Sequence, residues 1–122
     1  MTQEDKQLLL KDLWARLPYR VICKLSDKGT DISITEVLDV GGLEYFIFGK
    51  MDVRPYLRPI SSMTEKEMEE YCNLQDKFLY SSQYPVTDAY ELFDWLLEHH
   101  FDYRGLIEKG LALEAKGGMY ES

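Results

Sequence analysis

The sequence predicts an α+β fold, with a small antiparallel sheet of three to four strands in meander order packed against about four helices. Three features predict it. Residues 2–17 carry an apolar stripe at helical spacing, and residues 19–48 alternate or run apolar between short turn signals. The second half carries three more helical stripes, each behind a capping signal. The 122 residues read as a single domain over 1–122, with a helix and the sheet in 1–60 and an acidic helical half in 61–122.

The first helix opens on Thr2 with Asp5 three residues on, a weaker form of the capping box. Leu9, Leu10, Leu13, Trp14 and Leu17 form its stripe before Pro18 stops it. Tyr19 to Leu25 sets Tyr, Val, Cys and Leu on one face against Arg, Ile and Lys on the other, as in a strand lying on a core. Ser26-Asp27-Lys28-Gly29 turns the chain into a second strand from about Asp31, with Ile32 and Ile34 inward. The period slips near Thr35–Leu38, which marks a bulge or strand end. Gly41-Gly42 reads as the next turn, and Leu43 to Phe48 as a central strand covered on both faces. In Arg54-Pro55-Tyr56-Leu57-Arg58-Pro59 the two Arg-Pro pairs exclude a regular helix and a central strand. That leaves an extended crossing or a short edge strand.

Thr64 and Glu67 form a capping box, with Met63 and Met68 as a hydrophobic staple, and Met68, Tyr71, Cys72, Phe78 and Leu79 carry the helix to about Tyr80. Residues 81–86, with Pro85, read as a loop. Asp88 with Glu91 caps the next helix, whose stripe is Ala89, Leu92, Phe93, Leu96, Leu97 and His100, with Trp95 at its rim. A last helix is expected from Asp102 or Tyr103 to Gly117-Gly118, with Gly105 and Gly110 weakening it by roughly 1 kcal/mol each relative to alanine.

Charge is uneven. Residues 1–60 hold nine acids and nine bases, whereas residues 61–122 hold 13 acids against five bases, so the whole formal charge of −8 lies in the second half. Such a surface repels a phosphate backbone and an anionic membrane, and draws in a basic protein surface. No apolar run reaches membrane-spanning length, the start is acidic rather than signal-like, and Cys23 and Cys72 fit no zinc or redox spacing. These features place the chain in the reducing cytoplasm, with no metal and no cofactor expected.

Three stretches carry a resemblance. Leu8-Leu9-Leu10-Lys11-Asp12-Leu13-Trp14-Ala15-Arg16-Leu17-Pro18-Tyr19 is the first. Arg54-Pro55-Tyr56-Leu57-Arg58-Pro59-Ile60-Ser61-Ser62-Met63-Thr64 is the second. The third is His99-His100-Phe101-Asp102-Tyr103-Arg104-Gly105-Leu106-Ile107-Glu108-Lys109-Gly110-Leu111-Ala112. Together they cover about a third of the chain and resemble a family of small uncharacterised proteins from phage-related and mobile regions of gut Bacteroidetes genomes. The resemblance implies a cytoplasmic accessory protein and supplies no activity, cofactor or catalytic residue.

The richest chemistry is Glu98-His99-His100-Phe101-Asp102-Tyr103-Arg104. Consecutive helical residues point about 100° apart, so His99 and His100 do not converge on one ion as a pair four residues apart would. The competing reading is a junction in which Asp102 caps, His100 and Phe101 pack, and Arg104 pairs with an acid. No serine or cysteine sits in a nucleophile elbow, no glycine-rich phosphate cradle occurs, and the last helix is too poor in bases to read DNA. Arg54, Tyr56 and Arg58, with Tyr19, are candidates for an interaction edge, since arginine and tyrosine often anchor interfaces. The alternative is that these arginines tie the crossing to acids of the helical half.

The leading expectation is therefore a non-catalytic interaction or accessory protein of a phage or mobile element, binding a host or phage protein. A small-molecule binder or minor enzyme built on His99, His100, Asp102, Tyr103 and Arg104 is the first alternative. An acidic mimic of nucleic acid is the second.

Overall fold

In the computed structural model, which describes residues 1–80, 83 and 85–120, the elements follow the order α1 (Gln3–Arg16), β1 (Ile22–Asp27), β2 (Ser33–Val37), α2 (Val40–Ile47), β3 (Met51–Leu57), α3 (Glu65–Tyr80), α4 (Pro85–Glu98) and β4 (Leu113–Glu114). The fold is α+β with a small four-stranded sheet. Its order is β2-β1-β3-β4, with β1 antiparallel to both neighbours and the two-residue β4 parallel to β3. The sheet is thus mixed, and β3 returns to the far side of β1 instead of continuing a meander past β2.

Thr2 and Asp5 cap α1 reciprocally, at 3.0 and 3.4 Å. The helix buries Leu9 and Leu13, but its inward face also carries Asp12 and Arg16, both fully buried, while Trp14 of the expected stripe is exposed. Two opposite charges one turn apart satisfy each other at 2.7 Å, and their pairing lets a polar couple enter the core. Cys23 and Leu25 of β1, Val21 just before it, and Val53 and Leu57 of β3 form the sheet's contribution to that core. Leu43 and Phe46 of α2 and Leu106, Leu111 and Ala112 complete it.

The stretch expected as a central strand, Leu43 to Phe48, is instead most of α2. A short apolar run satisfies either period, and here Asp39 decides by accepting a hydrogen bond from the Gly42 N–H at 2.7 Å. Gly41 and Gly42 therefore lie in the helix rather than in a turn. A Cβ on Gly42 would lie 3.3 Å from Leu25 Cδ2, so its absence lets α2 close on the sheet.

The Arg-Pro segment is extended as expected, but Pro55 sits inside an interior strand, opposite Cys23. Residues 22, 24 and 26 of β1 turn their backbone groups toward β3, so Pro55 stands at a non-hydrogen-bonded position and its missing N–H faces away from β1. On that other flank β4 pairs only from Tyr56 onward, so no ladder bond is lost. The final expected helix is also absent. Residues 102–112 form turns, because Gly105 and Gly110 adopt φ of 72° and 75°, a left-handed backbone that interrupts a right-handed helix.

The expected capping box of α3 is present, with Glu67 N–H on Thr64 at 3.1 Å and Thr64 N–H on Glu67 at 2.9 Å. The loop read over 81–86 lies partly outside the described residues, and its last two positions belong to α4, which starts at Pro85 rather than behind Asp88. Leu92, Leu96 and Leu97 are buried, whereas Phe93 turns outward.

Candidate interaction surface

The five residues expected to make a ligand site face four separate surroundings. His99 packs its ring 4.5 Å from that of Trp95 and places Nδ1 3.4 Å from a Glu67 oxygen. His100, at φ 62°, turns the other way and stacks on Tyr120 at 3.7 Å between ring centroids. Burial, then the nearby Arg16 charge, pushes the His100 imidazole down to about 4. Asp102 spends both carboxylate oxygens on the N–H groups of Leu106 and Ile107, each at 2.9 Å. Arg104 reaches Asp12 at 3.1 Å and donates to the Tyr103 hydroxyl at 3.1 Å. These are the contacts of a junction between α4, α1 and the final turns. Among the described residues no three His, Cys, Asp or Glu side chains group to hold a metal ion.

The expected basic edge divides as well. Arg54 is exposed, Tyr56 is buried, and Arg58 is spent internally. Its guanidinium grips Glu67 with two bonds of 2.7 and 2.8 Å and lies 4.3 Å over the Phe101 ring. That grip, helped by Thr64, holds the Glu67 carboxyl down to about 2. Arg58, Glu67 and His99 line a cleft of about 820 Å³. Glu67 is too fully engaged there to accept a proton from a substrate. Cys23 is equally inert, since burial, reinforced by Asp12, pushes its thiol up to about 12. Trp95, read at the rim of its stripe, is held within the chain by Glu70 at 3.1 Å and by the Phe101 ring.

What stands unsatisfied is the opposite edge of the sheet. The ladder between β1 and β2 pairs Leu25 with Ile34 and Cys23 with Glu36, so Ile34 lies on the face that Leu25 buries. Neither α1 nor α2 reaches far enough to cover it. All five residues of β2 are exposed, Ile34 at 49% and the preceding Ile32 at 67%. Bonds from Leu38 N–H to Val21 and from Asp27 N–H to Ile32 fix the phase of the ladder. Even-numbered residues turn their backbone groups to β1, and Ser33, Thr35 and Val37 turn theirs outward, where no strand follows among the described residues.

Helix α2 extends the same surface. Its inward face is spent on Leu43 and Phe46, leaving Tyr45, Ile47 and Phe48 exposed, Phe48 at 73%. Between β2 and α2 lies an open groove of about 330 Å³, lined by Leu25, Ile32, Ile34, Tyr45, Lys50 and Met51. Exposed apolar side chains beside an unpaired sheet edge are the usual mark of a protein-binding surface. Sequence reading placed Ile32 and Ile34 inside and missed this surface. The available signal was the excess of apolar residues over 43–48, which a helix must leave partly outside.

No family model, curated protein or solved structure matches the chain, so its role is read from this geometry. Among the described residues, no helix is long and apolar enough to cross a membrane.

Proposed function

We propose that the chain is a non-catalytic interaction protein that takes an extended segment of a protein partner as an added strand on β2, with α2 as the second wall of the groove. One observation carries the reading: Ile34 lies on the core face of the sheet yet stays half exposed, beside outward backbone groups of Thr35 that have no neighbouring strand among the described residues. Main-chain bonding to an open edge supplies affinity, and pockets for alternate side chains supply selectivity. The partner segment accordingly alternates apolar residues, with one face meeting Ile32, Ile34 and Tyr45. The resemblance noted above supports an accessory role in a phage or mobile element, acting in the cytoplasm on a host or phage protein.

Thr35→Pro tests this. The Thr35 N–H points away from β1, so proline there spares the hairpin ladder while removing a donor from the open edge. Peptides selected against the native chain from a displayed random library are expected to alternate in hydrophobicity. They should protect the Ser33, Thr35 and Val37 amides from exchange and bind Thr35→Pro about tenfold less tightly. Selected peptides that bind Thr35→Pro as well as the native chain refute the reading.

A further inference from the structure

A second groove, which shares no lining residue with the first, lies between α3 and α4, with a volume of about 570 Å³. Its apolar lining is Leu74, Tyr90 and Trp95, and its acids are Glu91, Asp94 and Glu98 of α4. Trp95 is already fixed, since its indole N–H donates to Glu70 and its ring packs on Phe101, so its part of the groove is formed before anything binds. Tyr90 is 67% exposed.

The charges are unevenly satisfied. Glu91 meets Lys77 at 3.2 Å, and Asp94 accepts the neutral Tyr19 hydroxyl at 3.0 Å. Among the described residues no cation lies within ion-pair distance of Asp94 or Glu98. These two acids fall four residues apart, one turn and about 6 Å along the helix. The groove therefore pairs an apolar, aromatic lining with two unneutralised carboxylates at helical spacing, in the half of the chain that carries the net −8.

From this complementarity we propose that the α3–α4 groove docks a basic amphipathic helix of a protein partner. Two lysines or arginines one turn apart face Asp94 and Glu98, and an apolar residue between them packs on Leu74, Tyr90 and Trp95. A cation near the Tyr90 or Trp95 ring gains further attraction from the ring face. The acidic field steers the approach, and the apolar contact distinguishes this helix from any other polycation. This surface is separate from the β2 edge and does not depend on it.

The probe is a synthetic helical peptide of leucine and lysine with its lysines one turn apart, compared with an oligolysine of equal charge. The helical peptide is expected to bind at micromolar strength and to shift the Trp95 indole N–H resonance. Oligolysine should bind about tenfold more weakly, the double variant Asp94→Asn/Glu98→Gln should lower affinity about tenfold and Tyr90→Ala about fivefold, and Thr35→Pro should change nothing. Equal binding of oligolysine, or full binding by the double variant, overturns the proposal by showing only diffuse attraction to an acidic surface. Loss of the peptide in Thr35→Pro overturns it as well, because the peptide would then lie on β2. Loss of edge-binding peptides alone in Thr35→Pro bears on the proposed function and leaves this groove unaffected.

Discussion

The Tyr120 hydroxyl donates to the Tyr56 carbonyl at 2.6 Å and accepts the Ile22 N–H at 2.9 Å, standing where a direct rung between those two residues would close the β1–β3 ladder. Regular pairing of β1 with β3 runs only from Cys23 and Pro55 outward, so Tyr120 acts as a wedge that carries the ladder one step further. Its ring meanwhile covers His100. The tail is thereby part of the fold's closure.

Tyr120→Phe keeps the ring stack and removes both bonds, leaving the Ile22 donor and the Tyr56 acceptor without their partner. A loss of roughly 1–3 kcal/mol in unfolding free energy is expected by chemical denaturation. A variant as stable as the native chain would show that the hydroxyl bridges nothing of consequence.

Asp12 is fully buried and receives Arg16 at 2.7 Å and Arg104 at 3.1 Å, while Arg16 also donates to the Phe101 carbonyl at 2.7 Å. One carboxylate thus ties α1 to the junction after α4. Removing it leaves a buried guanidinium uncompensated, so Asp12→Ala is expected to cost about 3–5 kcal/mol, whereas Arg104→Ala, at the partly exposed end, costs much less. Comparable losses in thermal melts of the two variants would contradict this ranking.

How far the sequence revealed the fold depends on how local each signal is. The caps at Thr2, Thr64 and Glu67 were legible because side chain and backbone lie within one turn. The junction at Asp102 to Arg104 was legible in its roles, but not in its partners Asp12 and Arg16, which lie more than 80 residues away. The strand read at Leu43 to Phe48 failed because both periods fit a run that is apolar except at Glu44, and the open edge at β2 failed with it. Whether a face is covered depends on where other elements end, and alternation within one strand carries no trace of that.

That error gives a direct test. Sequence alternation treats Leu25 and Ile34 alike, yet the structure buries Leu25 and leaves Ile34 half exposed. Leu25→Ala is expected to cost about 2–4 kcal/mol through the cavity it opens, while Ile34→Lys stays within about 0.5 kcal/mol of the native chain and raises solubility. A large loss in Ile34→Lys would mean that the edge is covered.

Acid should lower stability through two successive pH windows. The His100 imidazole lies near 4 in the folded state, below its usual 6.5, so the unfolded chain binds the proton more readily. Its contribution is complete above 6.5 and is lost as pH falls from 6.5 toward 4. Glu67, near 2 instead of 4.5, contributes above 4.5 and loses that contribution between 4.5 and 2. His100→Asn, which suits the left-handed backbone at φ 62°, should flatten the melting-temperature profile in the upper window only. Identical slopes for both proteins between 6.5 and 4 would clear His100 of any part in it.

The two readings of the C-terminal segment predict opposite signs for Gly110→Ala. In a helix over residues 103–116, alanine would stabilise by about 1 kcal/mol. In the turn observed, Gly110 has φ 75° and a Cβ built there meets nothing within 4 Å, so no steric contact enters and the backbone conformation alone decides. An L-residue held in that left-handed region costs roughly 1–2 kcal/mol, and the variant should therefore unfold at lower denaturant than the native chain. Gly105→Ala, at φ 72° and equally unobstructed, should lose a similar amount, and the two losses should add because each is local. A stabilised Gly110→Ala would restore the helix and remove the turns that bring Leu106 and Leu111 into the core.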